Sequence, residues 1–413
     1  MNRPQQKPRV LSARWVLTAA GDPIEHGEVL VEAGQIVAVA GRGKLSADSR
    51  YPVQAFDDAV LIPGLVNAHT HLEFSLLNEP LGHQGISMTD WIPKVIECRN
   101  GISETVKQSA IAAGLRQARE TGTVAIGEIA TAPTHRAGDY GESPEIFKTI
   151  FLEQLTRDPS LLPARAAEAQ AHVDQADRGS SEFQFALSPH APYSVHSELL
   201  NQMVELALST KSKLAMHVAE SAAEIELLES KTGAFVDLFQ SMGIWNPDSF
   251  GETDSIDAIL KQLSRIEGAL LIHGNFLSQQ QFEFAAQQGI SIVCCPRTHA
   301  WFAHEAFPVS EMIAAGVNVA VGTDSRASNP DLNLLEELKN LHQRTLLPAA
   351  TILEMGTANG AKALGIDREY GTIEPGKSAA LAVIEIAQPN DPYSFLAERE
   401  AVARAIIDPS DQQ

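Results

Sequence analysis

Two histidines one residue apart, His69 and His71, close the segment Leu61-Ile-Pro-Gly-Leu-Val-Asn-Ala-His-Thr-His71, an apolar run around a Pro-Gly turn. In an extended chain residues i and i+2 point to the same side, so both imidazoles can face one metal ion from a single rigid element. Comparable side chains recur farther along, each at the end of a short apolar stretch: His217-Val-Ala-Glu220, His273-Gly-Asn275 and Gly322-Thr-Asp324. A lone histidine is weak evidence, because imidazole also serves as an ordinary polar residue. Four strand ends that present ligand types point to one shared centre, provided an architecture brings those ends together.

The elements that would position them can be read from the apolar pattern. Segments 122–129, 145–152, 183–189, 213–218, 268–274, 290–296 and 317–324 are short and apolar, and the stretch that enters His69 makes eight. Helical patterns lie between them, among them Glu104 to Glu120 and Leu332 to Gln343. Eight β-α units predict an α/β chain with a (β/α)8 TIM-like barrel, whose strand ends open into one mouth; a doubly wound sheet is the alternative. The least regular piece, Gly243 to Ser264, is expected as a long loop with one helix, a candidate cover for the site. Toward the termini, Arg14-Trp-Val-Leu-Thr18, Gly27-Glu-Val-Leu-Val-Glu32 and Gln35-Ile-Val-Ala-Val-Ala-Gly41 read as a small antiparallel sheet, and Gly371 to Ile384 adds a further strand. Residues 1–62 and 366–413 are therefore expected to form one composite β-sandwich domain around a barrel at 63–365.

With 413 residues and 44% hydrophobic content, the chain can bury such a core. A net charge of −21 disfavours nucleic acid and anionic membrane as partners; a small-molecule substrate is expected from the site chemistry. No stretch reaches the roughly 18 apolar residues of a membrane span, and the first residues lack the apolar core of a secretory signal. Cys98, Cys294 and Cys295 form no Cys-x-x-Cys, which suits reduced thiols in a cytoplasm and argues against a thiolate zinc site. The adjacent pair reads as core packing.

The chain resembles the amidohydrolase superfamily, in the branch of cytosine deaminase-like and chlorohydrolase-like proteins. The resemblance rests on Pro63-Gly-Leu-Val-Asn-Ala-His-Thr-His71, His217-x-x-Glu220-x-x-x-Glu224, His273-Gly and Gly322-Thr-Asp324, and on a small β domain from both termini. Ser188-Pro-His-Ala-Pro-Tyr193 is similar to a motif of adenosine and S-adenosylhomocysteine deaminases. His69-Thr-His-Leu-Glu-Phe-Ser75, Trp91 and Cys295-Pro-Arg-Thr-His-Ala-Trp-Phe302 are similar to aminofutalosine deaminase-like relatives. Relatives of this kind often form dimers, so a homodimer is an open expectation.

Beside the resemblance, the chemistry reads as follows. His69, His71, His217 and Asp324 make a nitrogen and oxygen site suited to one divalent ion, zinc or ferrous iron, with a position left for water. His273 is expected to hydrogen-bond that water, and Asp324 to accept its proton. Glu220, three residues past a ligand, is the proton shuttle. Displacing an amine from an aza-aromatic ring requires protonation of a ring nitrogen and of the departing amine, whereas chloride leaves without a proton. Deamination of an adenine-like nucleoside or another amino-substituted ring is thus favoured. Dechlorination or dealkylamination of triazine-like rings is the rival, and a catalytically silent, metal-stabilised binding protein is the alternative from another class. Two-metal relatives use a lysine at the end of the fourth strand; Phe183 to Ser194 has none, and Lys148 reads as structural or solvent-facing. Around the pocket, His190 either contacts substrate or caps its turn. Trp91 either stacks on a ring or anchors its loop. Arg297 either pairs with a substrate anion or forms a surface ion pair. Glu73 and Glu224 either bind substrate hydroxyls, orient ligands or lie in solvent. His299 and His304 take no role.

Overall fold

Aliphatic runs punctuated by glycine and polar residues set the strand positions. The computed structural model describes residues 7–131, 136–141, 146–175, 182–305, 307–388 and 390–406. Glu145 of the expected third apolar segment, and residues 1–6 and 407–413 of the expected terminal domain, lie outside them. The first five strands are β1 (Arg9–Val16), β2 (Ile24–Glu25), β3 (Glu28–Glu32), β4 (Gln35–Ala40) and β5 (Val53–Pro63). The eight apolar segments give β6 (Leu65–His71), β7 (Thr123–Ala130), β8 (Phe147–Gln154), β9 (Phe183–Pro189), β10 (Ala215–Val218), β11 (Leu270–His273), β12 (Ser291–Cys294) and β13 (Asn318–Val321), followed closely by β14 (Asp324–Ser325). Near the C-terminus come β15 (Leu381–Glu385) and β16 (Ala403–Ala405).

Strands from both ends of the sequence share one sheet, in the order β16-β15-β5-β1-β3-β4, with β2 against β1. The expected strands β1, β3 and β4 pair antiparallel, and β5 makes the whole sheet mixed. The β3-β4 hairpin reverses the chain twice, so that β5 returns alongside β1 in the same direction. β5 escapes a reading by alternation because Gln54, Asp57 and Asp58 interrupt it, while its second half, Ala59 to Pro63, is buried and pairs with β15. Leu11, Val16, Val29, Ile36, Leu61, Ile373 and Leu381 form the apolar core beside this sheet. Glu28 closes the loop after β4. Its carboxylate accepts from the backbone N–H groups of Gly43 at 2.8 Å and Leu45 at 2.7 Å, and from the Ser46 amide and hydroxyl. Burial pushes this carboxyl up, but the Ser46 hydroxyl and the three N–H groups outweigh it and hold it below its ordinary value.

The remaining strands form two parallel sheets, β14-β6-β7-β8-β9 and β10-β11-β12-β13. Leu187 of β9 bridges in parallel to Leu214, just ahead of β10. At the other edge the two residues Gly322 and Thr323 carry the chain from β13 into β14, which pairs with β6 at Thr70 and His71. Gly322 is required there: a Cβ would lie 2.7 Å from the carbonyl oxygen and 2.8 Å from the Cβ of His69. Helices fill the intervals, with Glu104–Glu120 and Leu334–Arg344 close to the expected spans. The irregular 243–264 stretch holds a short 3-10 turn at Pro247–Phe250 and one helix, Ile256–Leu263.

The chain divides into two compact units. One comprises Met1–Asn67, Arg116–Ala125 and Asn333–Gln413, and the other Ala68–Leu115 and Ile126–Leu332. Among the described residues no helix is long and apolar enough to cross a membrane.

Candidate metal centre and active site

All the ligand types picked out by the sequence fall in the second unit, the histidines toward the C-terminal ends of their strands and Asp324 just beyond the end of β13. His69 and His71 end β6, His217 lies in β10, His273 ends β11 and Asp324 opens β14. The ring centroids of His69 lie 4.9 Å from those of both His71 and His217, and His273 is 5.5 Å from His217. Asp324 Oδ1 stands 3.7 Å from His69 Nε2 and 3.6 Å from His71 Nε2, and the Nε2 atoms of His69 and His217 are 3.3 Å apart. Donor atoms of His69, His71 and His217 all lie within 4.8 Å of one another, as do those of Glu220, His273 and Asp324. Three imidazoles and a carboxylate at this spacing fit a divalent ion with a nitrogen and oxygen donor set.

Backbone geometry turns these side chains inward. Ala219, His273 and Asp324 have φ of 55°, 72° and 53°, the left-handed region that costs a non-glycine residue roughly 1–2 kcal/mol. Neighbours hold these conformations in place. Glu224 accepts from the N–H groups of Ala219 at 2.9 Å and Glu220 at 3.0 Å. Asn275 donates to the Glu220 carbonyl at 3.1 Å. Thr70 donates to the Asp324 carbonyl at 3.0 Å, and Ser328 to Asp324 Oδ2 at 3.1 Å. His217 Nδ1 lies 3.0 Å from the His190 carbonyl; since a carbonyl only accepts, the proton sits on Nδ1, and the Nε2 lone pair is turned toward His69. After His71 the Leu72 N–H donates to the Glu128 carboxyl, at 3.0 Å from Oε2, which pins the end of β6.

Burial sets the protonation pattern. It pulls His71, His217 and His273 well below the ordinary imidazole value, reinforced for His71 and His217 by His69, so these rings are neutral and able to ligate. Burial would also raise Asp324, but the hydrogen bond from His69 heads the effects that outweigh it and hold this carboxylate below its ordinary value. Glu220 moves the other way: burial first, then the charges of Asp324 and Glu224, push it well above the carboxylate range. Its Oε1 stands 3.5 Å from His273 Nε2.

A cavity of about 260 Å³, room for far more than one water, opens onto His71, His217, His273, Asp324 and Glu220. His190 lines it with Nδ1 2.5 Å from Ser194 Oγ inside its own turn, so it combines wall and turn positions. Trp91 lines the cavity while its indole N–H donates to the Ala327 carbonyl at 3.1 Å. The other three expected contacts lie elsewhere. Arg297 turns onto Asn329 and Asp331, reaching Asp331 Oδ1 at 2.7 Å, and is not part of the cavity wall. Glu73 is taken up by Arg99 at 2.6 Å, Thr131 at 3.1 Å and Lys107 at 3.2 Å. Glu224 spends both oxygens on the backbone before Glu220, with burial raising its pKa to about 7 against those two bonds. Among the wall residues that sequence pattern left without a role are Arg99, Glu153 and Arg157. For Arg99 a signal exists, since it falls four and eight residues after the wall residues Val95 and Trp91 in one helix. Glu153 lies near the end of β8, and its carboxylate meets Arg99 at 3.3 Å.

Known proteins share this arrangement of sequence and fold. An adenosine deaminase of Helicobacter pylori is 30% identical over 346 residues, covering 81% of each chain. The crystal structure of Helicobacter pylori aminofutalosine deaminase in complex with methylthio-coformycin superposes with a TM-score of 0.85 at 25% identity, over 97% of this chain and 100% of that one. A Xanthomonas campestris adenosine deaminase crystallised with bound zinc gives a TM-score of 0.77 at 25% identity, over 96% and 91%. A sequence model of the Amidohydrolase family matches residues 60–408, and the chain belongs to that family.

Proposed function

We propose that this chain is a mononuclear, metal-dependent aminohydrolase that replaces the exocyclic amine of an adenosine-type nucleoside with oxygen and releases ammonia. The observation that carries this reading is Glu220: a buried carboxyl driven toward its protonated form, beside an ionised Asp324 and neutral imidazoles. Two carboxyls pushed in opposite directions divide the acid and base roles. His69, His71, His217 and Asp324 would hold the ion, and a zinc-bound relative makes zinc the first choice over iron. When bound, the ion supplies hydroxide near neutral pH. Glu220 protonates a ring nitrogen, which draws the nucleophile to the carbon bearing the amine, and a second proton through the same carboxyl lets ammonia depart. Asp324 takes a proton, His273 orients the attacking oxygen, and His190 and Trp91 bound the ring. The reaction consumes one water and yields a ring carbonyl and one ammonia.

The architecture proposed for this chemistry is a closed (β/α)8 barrel at 63–365, with the terminal sheet as part of a β-sandwich of residues 1–62 and 366–413. The Leu187–Leu214 bridge and the β14–β6 pairing support closure. Three free cysteines support a cytoplasmic location. The test measures ammonia and chloride in parallel, with metal-replete protein, on adenosine, 5'-substituted adenosines and a chlorotriazine. Ammonia from the nucleosides is the expected result. Chloride release from the triazine with no ammonia from any nucleoside would overturn the reading.

A further inference from the structure

Apolar side chains gather at the mouth of the cavity and stay in contact with solvent. Ile96 and Leu155 are 39% exposed, Met242 42% and Ile244 44%, and all four belong to the cavity wall. Apolar surface collected at one rim, rather than scattered, is a source of free energy for whatever covers it.

The two sides of the mouth are held differently. Helix Met88–Gly101 supplies Trp91, Ile92, Val95 and Ile96 and is fastened near both ends. The Trp91 indole donates to the Ala327 carbonyl at 3.1 Å, and Arg99 meets Glu73 at 2.6 Å and Glu153 at 3.3 Å. Across the mouth, helix Ala234–Ser241 is seated by Phe239 and by Phe235, which is wholly buried and stacks on Tyr193 with ring centroids 4.6 Å apart. The chain is gripped again at Asn246–Phe250. There Arg157 Nη2 donates to the Asn246 carbonyl at 3.1 Å and to the Ser249 hydroxyl, Nη1 donates to the Tyr193 carbonyl at 3.0 Å, and the guanidinium carbon lies 3.9 Å from the Phe250 centroid.

Between these anchors, Gln240 to Ile244 are all exposed. The backbone bonds of this tip run to its own helix: the N–H groups of Met242, Gly243 and Ile244 donate to the carbonyls of Leu238, Gln240 and Phe239 at 3.0, 3.0 and 2.9 Å. Gly243 stands at φ 70° with open space where a Cβ would lie, a conformation that glycine enters and leaves without steric cost. A short stretch with two fixed ends, local hydrogen bonds and no buried side chain opens and closes at low free energy.

We propose that Gln240–Ile244 is a flap that closes across the mouth when a substrate ring fills the cavity, laying Met242 and Ile244 against Ile96 and Leu155. The inference rests on the nucleoside reading of the same cavity. Closure takes rim surface from both sides out of water and shuts solvent away from Glu220, while the Arg157 grip keeps the base of the flap still. Substrate is the trigger because Met242 and Ile244 line the same cavity as His217 and Glu220.

The experiment is hydrogen exchange followed by mass spectrometry on the full, metal-replete chain, free and saturated with 1-deazaadenosine. This analogue lacks the ring nitrogen that Glu220 would protonate, so it stays intact. Binding is expected to slow exchange in residues 240–246 by about 10-fold or more and to leave helix Ile256–Leu263 unchanged. In the double variant Met242→Ser, Ile244→Ser the slowing is expected to shrink to less than about 3-fold, and the heat-capacity change of binding to become less negative. Unchanged exchange in 240–246 with the analogue bound, equal slowing in the double variant, or a tip that exchanges in the free chain as slowly as Ile256–Leu263 overturns the proposal. The wild-type comparison decides it even if the double variant does not fold. Should the analogue not bind, the nucleoside reading fails, and the same measurement with the chlorotriazine decides the flap: slowed exchange upholds it and unchanged exchange overturns it.

Discussion

Glu220 and Asp324 are buried carboxyls within reach of the same imidazoles, yet their surroundings drive them apart. Asp324 faces His69, His71 and His273 and stays ionised; Glu220 faces burial and two other carboxyls and is pushed up. Removing the proton carrier without removing a ligand separates the two roles. Glu220→Gln is expected to bind the same amount of metal, by elemental analysis, and to lose at least about 100-fold in kcat. Activity close to wild type would move the proton transfer to another group. The raised pKa also has a direction: the acid form persists above the ordinary carboxylate range, so kcat/KM is expected to fall as pH rises through the Glu220 value, read from a pH–rate profile. At this scale the candidate ligands were legible as a group because residue type and strand end coincide. Arg297 and Arg99 show the limit. Both are arginines near apolar segments, and only packing decides that one meets Asp331 while the other reaches the cavity between two glutamates.

At the scale of elements, the site depends on how strand ends stop. Left-handed backbone at Ala219, His273 and Asp324 re-aims side chains that a continuing strand would direct alternately to its two faces. Glu224 holds the first of these turns through two N–H groups, so Glu224→Ala is expected to lower kcat by about 10-fold while leaving metal content unchanged; metal loss instead would make Glu224 a support of the ligands. Gly322→Ala places a Cβ against the His69 backbone and is expected to cost about 1–3 kcal/mol in urea unfolding and to weaken metal binding, measured by competition with a chelator. The eight parallel strands were legible as short apolar runs, since burial on both faces removes alternation. β5 was not, because its exposed polar half hides the buried half that pairs with β15.

For the whole molecule, sequence pattern indicated a terminal β element and a larger α/β part, while the sheet that unites the two termini is mixed because of one parallel pairing, β1 with β5. Glu28 ties that sheet to its loop. Its folded-state pKa is depressed, so its contribution is present above the ordinary carboxylate value and is lost as pH falls through the folded value. Glu28→Gln is expected to destabilise the chain by about 1–2 kcal/mol at pH 7 in urea titration, with the gap to wild type closing as pH drops below about 4. A gap that is constant with pH would assign the effect to packing.

The central claim, one ion serving one deamination site, is tested most directly by titrating zinc into metal-stripped protein and following ammonia release from an adenosine-type nucleoside. The rate is expected to climb in proportion to added zinc and to level off at one equivalent per chain. A rate that is full without metal, or that levels off only at two equivalents, would contradict the account.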